Sequence, residues 1–188
     1  MRLSHETANA LIRLAQHVAS KDQTRYHLTF VEMKKIDNDY IELAATDGHI
    51  AVWVKIKDTN LASTLLKTPY YFPRDQAELL KAMIKNSFAW VDFEKFEKDI
   101  KFPNMEQFRI KDTKWTETIY KDKAPPEIVI DRSFTIGLSS KLLGRIEKAF
   151  APTKSSCFKF IFDTRDNGKP ALILGGDGET AVIMPMRI

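Results

Sequence analysis

Apolar residues recur at three- and four-residue spacings near the start of the chain, at Ala8, Leu11, Ile12, Ala15, Val18 and Ala19. That period predicts an amphipathic helix over residues 5–20, with Glu6, Asn9, Arg13 and His17 outside. Ser4 is placed to cap it, with Thr7 where a capping box would prefer Glu or Gln. Extended runs follow at Tyr26–Met33, Tyr40–Thr46 and His49–Ile56. Between them "KIDND" and "TDGH" supply turn chemistry, the second with Asp-Gly expected at a hairpin tip.

A second helix is predicted from Arg74 to Asn86, after "YYFP". It would bury Ala77, Leu79, Leu80, Met83 and Ile84 and expose Arg74, Glu78, Lys81 and Lys85. A hairpin-like stretch spans Ala89–Phe102, and a polar connection then runs to the adjacent prolines Pro125 and Pro126, which forbid helix. The third block is extended over Ile128–Ile136 and helical over Ser139–Phe150. That helix would bury Leu142, Leu143, Ile146 and Phe150 while presenting Lys141, Arg145 and Lys148 together. Strands at Phe158–Asp163, Ala171–Leu174 and Thr180–Arg187 complete it, with "DNGK" and "GGDG" as turns. The three helix-plus-strand units are alike in pattern and not in sequence. The expected class is α+β, with amphipathic helices on antiparallel sheet.

The 188 residues allow one domain or two small ones. A net charge of +4 and a pI near 9.0 point mildly to an anionic partner. A single cysteine, Cys157, cannot form an internal disulfide and suits a reducing cytoplasm. It sits among alternating apolar residues, as a strand thiol would. The amphipathic start does not resemble a signal peptide, and no apolar run reaches the roughly 20 residues of a membrane span. No membrane partner is expected.

Candidate chemistry is sparse. His27, Asp37, Asp39, Asp47 and His49 could form a metal or acid–base site, but no nucleophile motif, phosphate loop or zinc spacing accompanies them. The basic helix faces could attract phosphate without reading sequence, or could simply be solvated. The ending "ETAVIMPMRI" is apolar where chain ends are usually polar. It is either a core strand or a surface that other proteins read.

Several stretches sharpen these alternatives. "RYHLTFVEMKKIDNDYIELAATDGHIAVWVKI", then "YYFPRDQAELLKAMI" and "KFPNMEQF", resemble the middle domain of the bacterial beta sliding clamp family, the processivity subunit of the replicative polymerase. "FTIGLSSKLLGRIEKAF" and the tail "AVIMPMRI" are similar to that family's C-terminal region. The resemblance covers most of residues 4–108 and about 128–188. It implies a sliding-clamp fold of about one and a half clamp domains: residues 1–110 like the middle domain, 111–127 a linker, and 128–188 a partial C-terminal domain.

By that resemblance, Leu28, Thr46, Gly48, His49, Val182, Met184, Pro185 and Met186 would form a pocket for short apolar peptides of polymerases and other clamp-binding proteins. Ile50 stands where the family usually has arginine. Arg13, Lys81, Lys85, Lys141, Arg145 and Lys148 would face double-stranded DNA and touch phosphate only. The resemblance further implies a non-enzymatic cytoplasmic processivity factor without cofactors, forming a homo-oligomeric ring opened by a clamp loader. If each chain carries three half-domains, four chains supply the twelve halves of a six-domain ring, which favours a tetramer. A clamp-derived regulator that binds such peptides, or a host clamp, without encircling DNA is the alternative. An enzyme built on Asp47 and His49 is a third.

Overall fold

The computed structural model describes residues 3–65, 69–84, 100–109, 136–150, 158–162, 168–176 and 178–186. Lys85, Cys157, the linker over 111–127, most of the predicted strand over 128–136 and most of the predicted hairpin over 89–102 lie outside them. In chain order the elements are α1 (His5–His17), β1 (Phe30–Lys35), β2 (Tyr40–Thr46), β3 (Ile50–Lys57), α2 (Thr59–Thr64), β4 (Tyr70–Pro73), α3 (Ala77–Ile84), α4 (Ser140–Ala149), β5 (Lys159–Ile161), β6 (Ala171–Leu174) and β7 (Thr180–Ile183). Short 3-10 turns occupy Gln23–Leu28, Arg74–Gln76 and Met105–Phe108.

The strands form one antiparallel sheet in the order β4-β1-β2-β3-β7-β6-β5. The C-terminal block therefore adds its strands to the sheet of the N-terminal block. The seam is the β3–β7 ladder, which pairs Ile50 with Ile183 and Trp53 with Thr180 at its ends. Helix α1 packs against both α3 and α4, all on one face of the sheet. Strand alternation sends Met33, Leu43, Val52, Ile173 and Ile183 to that face, where they meet Leu11 and Leu14 of α1. Each such fully buried aliphatic side chain stabilises the fold by about 1.5–3 kcal/mol. The opposite face holds a smaller cluster of Ala44, Ala51, Trp53 and Val182, covered by Met105 and Phe102.

Tertiary partners finish the helix ends. Ser4 Oγ accepts from the Thr7 amide at 3.1 Å, as a cap should. The carboxylate absent from the local capping box arrives from Asp58, whose Oδ2 accepts from the Ser4 amide (3.3 Å) and the Thr7 hydroxyl (2.7 Å). Its Oδ1 accepts from the Leu61 amide and so caps α2 as well. At the other end of α1, Arg74 Nη1 donates to the carbonyls of Ala15 (2.5 Å) and Ala19 (2.7 Å), and Nη2 to Gln16. Arg145, from α4, donates through Nε to His17 (2.7 Å) and through Nη2 to Val18 (3.0 Å). Arg13 returns the favour, its Nε donating to Ala149 at the end of α4 (3.1 Å). Guanidinium groups satisfy the orphan carbonyls and oppose the negative end of each helix dipole.

The third donor of Arg145, Nη1, reaches Asp47 Oδ2 at 2.5 Å, in the turn between β2 and β3. Burial by itself would raise the Asp47 carboxyl. Hydrogen bonds from the His49 and Ile50 amides, together with Arg145, outweigh it and leave the group below its ordinary 3.8.

Several expectations change. The run over Tyr26–Met33 is not one strand. Asp22 caps a 3-10 turn by accepting from the Thr24 amide (2.9 Å), and β1 starts only at Phe30. Leu79 is not a core residue of the second helix but 63% exposed. The α-helical part begins at Ala77, so Ala77, Leu80 and Ile84 make the inward stripe and Leu79 falls off it. Arg13 and Arg145 are not outward-facing cations, since both are half-buried on helix ends. The hairpin tip is Gly48–His49, one residue later than expected, because Asp47 pairs across it with Ile50. The last strand ends at Ile183.

Replacing Arg74 with Met should cost about 2–3 kcal/mol, since three charge-assisted bonds to α1 are lost. A lower urea midpoint with unchanged slope would show it. Asp47→Asn should cost about 2 kcal/mol at neutral pH. Because the folded Asp47 value lies below 3.8, its contribution is present above that pH and disappears as pH falls through the folded value. The stability difference between wild type and variant should therefore close in acid; a gap that stays constant with pH refutes the ionic role.

Candidate functional site

The end of the chain is pinned on both sides. Past β7 the Met184 amide donates to the His49 carbonyl at 3.1 Å, and the Met186 amide donates to the Gly137 carbonyl at 2.8 Å, just ahead of α4. The backbone is held while the side chains are not. Met184 is 43% and Met186 55% exposed, with Pro185 half-buried between them. Pro185 has no amide to donate, which suits a residue where the β7 ladder has ended.

The neighbouring turn is built by its own side chains. Asp47 Oδ1 accepts from the amides of His49 (2.8 Å) and Ile50 (3.0 Å). Thr46 Oγ1 accepts from Gly48 (3.0 Å) and donates to the Ile50 carbonyl (2.7 Å). Gly48 takes φ +91°, a left-handed conformation that side chains with a Cβ adopt rarely. A Cβ there would also lie 3.3 Å from Arg25 Nη1 and 4.0 Å from Leu28 Cδ1. Leu28 and Arg25 thus flank the turn, and Arg25 Nη1 donates to the Asp47 carbonyl at 3.1 Å.

The fold gathers the residues expected for a peptide pocket unevenly. Thr46, Gly48, His49 and Met184 meet through the turn, Leu28 lies under Gly48, and Pro185 and Met186 continue along Gly137. Val182 differs, being buried in the cluster with Ala44, Ala51 and Trp53 beneath Met105. Ile50 points to the helix-side core and is 2% exposed, so no polar contact arises at that position. Both Asp47 oxygens are engaged, Oδ1 by the His49 and Ile50 amides and Oδ2 by Arg145. Among the described residues no three His, Cys, Asp or Glu side chains group as a metal site would require.

Of the six cations expected to face DNA, Lys81, Lys141 and Lys148 are exposed on α3 and α4. Arg13 and Arg145 are bound to helix ends, and Lys85 lies outside the described residues. The sequence reading missed where positive charge concentrates. A groove of about 660 Å³ opens at the C-terminal end of α1, lined by Lys21, Arg25, Arg74, Lys141, Arg145 and Lys148, with His17 beside them. Burial, then the charges of Lys148, Arg74, Arg145 and Lys81, hold the His17 imidazole below its usual range. "SKDQTR" carries two of these cations, a signal visible only once α1 and α4 are known to be antiparallel neighbours.

No family model matches the chain, and no curated protein does. Solved structures do. The chain is similar to the DNA polymerase III subunit beta of Pseudomonas aeruginosa at 15% identity and a TM-score of 0.63, over 100% of this chain and 66% of that one. For the beta subunit of Thermotoga maritima the figures are 12%, 0.67, 100% and 65%. For a sliding clamp of Bartonella birtlesii, solved bound to griselimycin, they are 16%, 0.65, 100% and 66%. The chain thus spans about two thirds of the length of the clamps it matches. At these identities the likeness concerns architecture: helices on one face of a continuous antiparallel sheet. The chain has the fold of the bacterial beta sliding clamps.

Proposed function

We propose that the chain acts as a reduced, non-enzymatic sliding clamp, a processivity factor that encircles duplex DNA and tethers a polymerase by a short apolar peptide. The observation that carries this is the tail. A backbone fixed at Met184 and Met186 presents two exposed methionines next to the hydrogen-bonded turn over Thr46–Ile50. Methionine adapts its shape, so one surface can take several related peptides. Residues 1–110 correspond to a middle clamp domain and 128–188 to part of the last. Strands β4 and β5 are the outermost of the described sheet. Edge-to-edge, head-to-tail pairing of copies through them would close a ring, with a tetramer favoured. DNA would be held by phosphate contact alone, a loader ATPase would open the ring, and the setting would be cytoplasmic with no cofactor. No helix among the described residues is long and apolar enough to cross a membrane.

The second reading, a peptide-binding regulator that does not encircle DNA, is favoured by one observation. With Arg13 and Arg145 committed to helix ends, the exposed helix positions mix Lys81, Lys141 and Lys148 with Glu78, Glu147 and Leu79. The two readings separate by experiment. A ring should persist as a defined oligomer on dilution in light scattering. It should also stay on closed circular DNA and leave after linearisation. Lys81→Glu, Lys141→Glu and Lys148→Glu together should weaken DNA association more at low salt than at high salt. A stable monomer with no such retention would replace the ring by the regulator.

For the tail, Met184→Ala with Met186→Ala should weaken binding of a leucine- and phenylalanine-bearing peptide at least about tenfold, while changing stability by under about 1 kcal/mol because both side chains are exposed. Unchanged affinity in fluorescence anisotropy would remove the tail from the site.

A further inference from the structure

The basic groove and the methionine tail are walled by the same two short segments. Asp47 lines the groove while His49, two residues on, holds Met184. Ser140 lines it while Gly137, three residues back, holds Met186. Arg25 stands between, on the groove wall and against Gly48. Along both segments, the residue that holds the tail and the one that lines the groove are only two or three positions apart.

Not every cation in the groove is available. Arg74 and Arg145 spend their donors on α1 carbonyls and on Asp47. Arg25 pairs with Asp22 at 3.2 Å. These arginines consume what negative charge the groove has: Asp22, Asp47 and the carboxyl end of α1. Lys21, Lys141 and Lys148 remain, and among the described residues none of them has an ion pair or hydrogen bond. The depression therefore carries uncompensated positive charge, next to exposed apolar side chains.

We propose that this groove binds acidic residues flanking the apolar segment of the peptide that occupies the tail. The proposal rests on the tail being a peptide site, and it specifies the partner's chemistry: apolar anchors joined to a run of aspartates or glutamates. Free lysines on flexible stems suit separately placed carboxylates, whereas the arginine forks that would grip phosphate in a bidentate way are already engaged. A duplex makes no use of the adjoining methionines. A peptide uses both.

The test is fluorescence anisotropy on the full chain. Three labelled peptides share two leucines and one phenylalanine and carry neutral residues, three aspartates or three lysines beside them. The acidic flank should tighten binding about tenfold at low salt, the basic flank should weaken it, and both effects should vanish near 0.5 M salt, to an order of magnitude. Combining Lys21→Gln, Lys141→Gln and Lys148→Gln should abolish the gain and leave the neutral peptide's affinity unchanged; all three are exposed and have no ion pair or hydrogen bond among the described residues, so the fold should persist. Equal affinity for neutral and acidic peptides, or a gain that survives the triple variant, overturns the groove proposal while the tail reading stands. Binding by no peptide overturns both. A short DNA duplex that occupies the groove while the acidic flank gains nothing would assign it to nucleic acid instead.

Discussion

The β3–β7 ladder is the constraint on which the rest depends. The two strands come from the N-terminal and the C-terminal block, and their pairing makes the two blocks into one sheet. With Ile50 opposite Ile183, the register carries Met184 to the His49 carbonyl and leaves it no other place. A shift of one residue would send Val182 to the helix side and Ile183 out, reversing both hydrophobic clusters. The register is therefore held by burial on two faces. On the helix side Arg145 closes the same seam, joining α4 to the end of α1 and to the β2–β3 turn in a single side chain.

Charge is divided by side-chain type. Three arginines go to helix ends, where the planar fork satisfies one carbonyl for Arg13, two for Arg145 and three for Arg74. Lysines stay in solvent on α3 and α4 and around the groove. Net charge is thus a poor guide to the surface that meets a partner, because part of it is internal wiring. A similar economy operates at Asp58, whose two oxygens cap α1 and α2.

The tail combines a fixed backbone with free side chains. Hydrogen bonds at Met184 and Met186 remove most of the ordering cost that a loose terminus would bring to binding. The thioethers above them keep their rotamer freedom, which suits a surface that accommodates related sequences. Fixed turn, pinned strand end and adaptable side chains together are what the proposed docking surface requires, at a seam that the fold already needs.

Much of this was legible in the chain itself. The period of α1, the Ser4 cap, the strand over Tyr40–Thr46 and the strand over Ala171–Leu174 follow from local pattern, since burial on one face imposes a spacing. The motifs around Thr46–His49 and the methionine tail were visible too, and so was the clamp-like architecture they suggest. Three things were not. Phe30 begins β1, not Tyr26, because Asp22 and its hydrogen bonds divert the backbone first. Arg13 and Arg145 sit at polar positions of helical wheels, and only the antiparallel packing of α1 on α4 brings each to the other's carbonyl end. The basic groove draws on residues more than a hundred positions apart, Lys21 and Lys141 among them. Periodicity reports which way a side chain faces along its own element. Which element lies opposite, and whether a charge there finds a carbonyl, a carboxylate or water, is decided by tertiary packing alone.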